Sequence, residues 1–71
     1  MKQIILTDAQ KAVIEKQING EFNPFSASTE ENDALKQVVQ DAEALMKELN
    51  AYDELEESLV AWYYNKYKEQ Q

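Results

Sequence analysis

Between residues 28 and 52 the apolar positions Leu35, Val38, Ala42, Leu45, Leu49 and Tyr52 recur at spacings of 3, 4, 3, 4 and 3. That rhythm puts them on one stripe of an α-helix packed lengthwise against its neighbours. Val39 and Met46 widen the stripe, while Glu30, Asp33, Gln37, Asp41, Ala44 and Glu48 form a mostly acidic row on the other side. Ser28 and Glu31 bracket the start as a capping box, in which side chain and backbone satisfy each other's first-turn donors. The pattern predicts a helix over 29–50.

A shorter helix is predicted upstream. Thr7-Asp8-Ala9-Gln10 is another capping box, and Asp8 suits the positive end of the helix dipole. Ala9, Val13, Ile14 and Ile18 supply an inward face, and Asn19-Gly20 supplies a stop in which glycine takes the left-handed cap conformation. The helix is therefore placed at 8–19. Ile4, Ile5 and Leu6 precede it; with no second strand visible in the sequence, they read as an extended lead-in whose side chains cover the bundle.

Downstream, Asn50 and Asp53 favour a boundary, because their side chains compete for backbone hydrogen bonds. Asp53 through Glu56 has the form of a third capping box, which places the last helix at 54–68; one unbroken helix from 29 to 68 is the alternative. On a helical wheel Leu55, Leu59, Trp62, Tyr63 and the stem of Lys66 face a core. Val60, Tyr64 and Tyr67 lie on a second side about 120° away. That arc is wider than one helix of a three-helix bundle usually buries, so the N-terminal segment wraps over the second side or it meets a partner. Phe22 and Phe25 flank the single proline, Pro24, and are expected to plug the end of the bundle, with a recognition loop as the alternative. The expected fold is a single all-α domain, 1–71, a three-helix bundle with a short extended N-terminal lead-in. The tail 69–71 is expected to fray.

Composition changes this picture mainly by subtraction. The 71 residues include no cysteine or histidine and one glycine. Disulfides, a zinc staple, the usual nucleophilic triads and a glycine-rich phosphate cradle are thereby excluded. The acids lack the D-x-D-x-D-G spacing of a calcium loop. They sit at helix starts and on outer faces rather than as pairs in a cleft, so the expectation is no enzyme and no cofactor. No apolar run reaches the roughly 18 residues of a membrane span, and the start does not read as a signal peptide; a cytoplasmic protein is expected.

Charge adds a partner class. Fourteen acids face seven bases, all lysine. The imbalance concentrates in residues 21–57, where eleven acids against two lysines leave a net of −9. Direct binding to nucleic acid or to an anionic membrane needs a positive footprint, so the expected partner is a protein with a basic surface. The candidate acidic face is Glu30, Asp33, Asp41, Glu48, Asp53, Glu54 and Glu57. The candidate aromatic contact is Val60, Tyr64 and Tyr67, which also offers a face for a homodimer. Two readings follow. One is a small acidic interaction module. The other is a nucleic-acid-mimicking inhibitor that fills a basic groove of a host protein.

The stretches "NGEFNPFSAS" and "AWYYNKYK" resemble small, uncharacterised acidic proteins carried by phages and mobile elements of gut bacteria, and the likeness spans most of the chain. Neither stretch is a motif with an assigned chemical role, so no site is carried over. The resemblance implies an inhibitor or adaptor acting on a host protein, CRISPR nucleases included.

Overall fold

The computed structural model describes residues 3–55 and 58–70. It is an all-α bundle of three helices, α1 (Asp8–Ile18), α2 (Thr29–Leu49) and α3 (Leu59–Glu69), with one turn of 3-10 helix at Tyr52–Glu54. Every pair of helices is in contact. No strand occurs among the described residues.

The first two helices begin where their local chemistry dictates. Thr7 Oγ1 accepts from the Gln10 N–H at 3.1 Å, and the Gln10 side chain accepts from the Thr7 N–H at 2.9 Å. Ser28 and Glu31 repeat the exchange at 3.1 and 3.3 Å. Caps of this kind contribute about 0.5–2 kcal/mol each. Both helices end in a left-handed residue. Gly20 has φ of 74° one residue past the Asn19 cap, and Asn50 itself has φ of 50°. Gly20 needs its backbone freedom, not space: a Cβ there would touch nothing within 4 Å.

The third helix corrects the sequence-based expectation. It begins at Leu59, five residues later than predicted, and its cap is Ser58, whose hydroxyl accepts from the Ala61 N–H at 3.1 Å. Asp53 lies in the 3-10 turn, which has no side-chain cap, and Glu56 of the expected third box lies outside the described residues. The reason is tertiary. Glu54 Oε1 lies 2.9 Å from Lys66 Nζ and accepts from Trp62 Nε1 at 3.3 Å. A continuous helix would separate residues 54 and 66 by about 18 Å along its axis, so the pair requires the chain to fold back.

The core joins Ile4 and Leu6 of the lead-in, Ile14 of α1, Val38, Ala42, Leu45 and Met46 of α2, Ala51, and Val60, Trp62 and Tyr63 of α3. Leu49 and Tyr52, at the end of the predicted stripe, are exposed, because the stripe runs past the end of the bundle. The lead-in is pinned from an unexpected side. The Gln70 side-chain amide accepts from the Ile4 N–H and donates to the Ile4 carbonyl, pairing with it as a neighbouring strand would. Gln70, expected to fray, thus holds the two ends of the chain together. Gln71 lies outside the described residues.

Candidate functional site

Two surfaces follow from the sequence, an aromatic stripe on α3 and an acidic face, and the structure treats them differently. The aromatic stripe is largely covered. Val60, expected on the partner-facing side, is only 6% exposed and belongs to the core. Tyr64 and Tyr67 are half-buried against that core. The cover is α1. The Tyr64 hydroxyl donates to Glu15 Oε1 at 3.1 Å, and Lys11 Nζ stands 5.9 Å from the centre of the Tyr67 ring. The two tyrosine rings stack with centroids 6.1 Å apart, and Lys68 lies over Tyr64 at 4.8 Å. Burial and the Glu15 carboxylate both push the Tyr64 hydroxyl pKa up. These contacts fix the rings as part of the α1–α3 interface. What remains open there is a cleft of about 390 Å³ along one edge of Tyr64, reaching Asn65 and Lys68.

The acidic face stays outside. Glu30, Asp33, Asp41, Glu48, Asp53 and Glu54 are all exposed, and Glu57 lies outside the described residues. Glu54 is engaged within the fold: Lys66, with help from the Trp62 indole N–H, holds its carboxyl below the usual range near 4.5. None of Glu30, Asp33, Asp41, Glu48 and Asp53 forms an ion pair among the described residues. Of α2's first-turn acids it is Glu31, outside the candidate set, that is paired, with Lys16 at 2.9 Å. That contact, with the Ser28 cap, lowers the Glu31 pKa.

Two of these carboxylates come together with features the sequence did not mark. Asp41 and Glu48 line a cleft of about 320 Å³ between α2 and the lead-in, with Ile5, Ala44, Leu45 and Tyr63. Seven residues apart, the two acids lie on the same side of α2, about 10.5 Å along its axis. Gln37 Nε2 donates to Asp41 Oδ1 at 3.0 Å, which orients that carboxylate. Burial, reinforced by the charge of Asp41, pushes the Tyr63 pKa up. The phenol at the cleft wall therefore stays protonated at neutral pH and can donate a hydrogen bond.

Ile5 is the residue that sequence reasoning missed. It is 80% exposed while Ile4 and Leu6 on either side are buried. The signal was available, because alternate side chains of an extended segment point to opposite sides. Phe25 is the second miss and corrects the expected plug. Phe22 is half-buried, but Phe25 is 98% exposed.

Among the described residues no group of three or more acids is placed to hold a metal ion, and no helix is long and apolar enough to cross a membrane. No protein-family model, curated protein or solved structure matches the chain.

Proposed function

We propose that this protein is an acidic interaction module that docks on a basic protein surface, with the Asp41–Glu48 cleft as the seat for a lysine or arginine side chain. The observation that carries this reading is the composition of that cleft. Two carboxylates that form no ion pair among the described residues stand beside an exposed isoleucine and the methyl of Ala44. Lysine and arginine have that amphipathic form, an apolar stem ending in a charged head. Glu30, Asp33 and Asp53 extend the negative field along and beyond α2 and would steer a basic partner on approach.

A finer form of the reading makes the partner's basic surface a nucleic-acid-binding groove. The feature that favours it is the row Glu30, Asp33, Asp41 and Glu48, all exposed along one helix. Asp33 to Asp41 spans about 12 Å and Asp41 to Glu48 about 10.5 Å. A charged edge of this length on a rigid scaffold can stand in for a stretch of phosphate backbone.

The test is capture from host-cell lysate on immobilised protein, in parallel with the double variant D41N/E48Q. The expected result is a basic protein retained at about 50 mM salt and released by about 0.5 M, as screening shortens the reach of the carboxylates. The double variant is expected to retain less than about a tenth as much. If the partner carries nucleic acid, added protein should displace it. Equal retention by the double variant, or retention indifferent to salt, would overturn the proposal.

A further inference from the structure

The turn 23–27 holds Phe25 outward. Asn23 Oδ1 accepts from the Phe25 N–H at 3.0 Å, and the Asn23 carbonyl accepts from the Ser26 and Ala27 N–H groups at 3.2 and 2.9 Å. From α2, Asn32 Nδ2 donates to the carbonyls of Pro24 and Ala27 at 3.4 and 3.5 Å. An Asx turn of this kind is a built structure. Phe25, at 98% exposure, is therefore a preorganised knob, not a side chain on a loose loop. The backbone of the turn is already ordered, so docking Phe25 has only the ring's own rotamer left to fix.

Beside it runs a groove of about 730 Å³, between the end of α1, the same turn and one side of α2. Phe22, Leu35 and Val39 give it an apolar lining. Among the residues that line it, one cation and one anion occur, Lys36 and Glu43. The groove is thus locally neutral on a chain of net charge −7. A basic partner would gain more from the acidic face on another side of α2. Conversely, two acidic chains meet here with the least mutual repulsion, and a two-fold pairing sets Lys36 and Glu43 against the same two charges on the partner.

We infer that this face is a homodimer interface, in which Phe25 of each copy inserts into the Phe22/Leu35/Val39 groove of the other. Knob and hole lie side by side on one surface, which is what an isologous, two-fold contact requires. The dimer is a weak one. Two phenylalanine rings bring about 150–250 Å² each, and the groove walls must supply the rest of the roughly 1,200 Å² at which stable interfaces begin. This places self-association on a different face from the α3 stripe that the sequence suggests, where α1 lies over the tyrosines. It is independent of the proposed docking on a basic partner.

Sedimentation equilibrium of the purified chain, loaded from about 20 μM to 2 mM, tests it. The expected result is a monomer–dimer equilibrium with a dissociation constant in the high micromolar range. Phe25→Ala should weaken it at least about tenfold, with an unchanged melting temperature in dilute solution, since the ring touches nothing in the monomer. Lys36→Glu, also exposed, makes the groove net negative and should weaken the dimer severalfold, more at low salt than at high. A chain that stays monomeric to 2 mM overturns the proposal. So does a dimer that survives both substitutions.

Discussion

The two aromatic regions of the molecule exchange the roles their sequences suggest. The loop pair Phe22 and Phe25 looked like a plug, yet Phe25 stands almost fully in solvent. The second stripe of α3 looked too wide for one helix to bury, yet Val60 is in the core and Tyr64 and Tyr67 lie against α1. The difference lies in the neighbours, not in hydrophobicity. The lead-in and α1 together give α3 a second wall, whereas the 23–27 turn has none on its outer side. Aromatic content marks where burial is available to be used; the packing of other segments decides whether it is.

The sharpest way to break this contrast is to place the same polar change on both sides. Val60→Thr keeps the shape of the side chain but puts a hydroxyl into the core, and it should destabilise the fold by about 1–3 kcal/mol. Phe25→Ser, made where the chain is dilute and monomeric, should change stability by no more than about 0.5 kcal/mol. Chemical denaturation of the two variants measures both numbers, and a similar loss in each would mean that Phe25 is packed in solution.

A smaller effect tests the lead-in half of the wall. Gln70→Ala removes two hydrogen bonds from the backbone of Ile4 and should cost about 1 kcal/mol. Faster hydrogen exchange at the Ile4 amide is the specific sign, since a general loss of stability would raise exchange throughout the core equally. Unchanged protection at Ile4 would detach the lead-in from α3.

The smallest effect concerns the clasp that starts α3 late. The carboxyl of Glu54 titrates below its ordinary value because Lys66 and the Trp62 indole favour the charged form. Its contribution is therefore present above about pH 4.5 and is lost as the pH falls through the lower, folded-state pKa. The stability difference between wild type and Glu54→Gln should be steady near neutral pH and disappear in acid. Lys66 titrates above its ordinary value, with Glu54 the main cause. Its share holds below about pH 10.5 and is lost as the pH rises through the folded-state pKa. Thermal melts of the two proteins from pH 3 to 8 follow the acid limb. A difference that does not shrink as the pH falls below about 4.5 would mean that charge is not what the clasp uses.

The residue chain by itself determined the first two helices almost to the residue, because their limits are local. Thr7 with Gln10 and Ser28 with Glu31 satisfy first-turn donors within four residues, Gly20 and Asn50 accept left-handed backbone, and the 3,4 rhythm of α2 names its inner side. The acidic face was equally legible, since exposure is the default for unpaired carboxylates. Only the tertiary structure decided the rest. The start of α3 depends on Glu54 reaching Lys66 and Trp62 across a fold in the chain. The Asp41–Glu48 cleft depends on where the lead-in lies, and that depends on Gln70, 66 residues away from Ile4. Whether Val60 or Phe25 faces water depends on which other segment arrives to cover it. Caps and periodicity are short-range interactions and can be read along the chain, whereas burial is a property of pairs of segments and appears only when they meet.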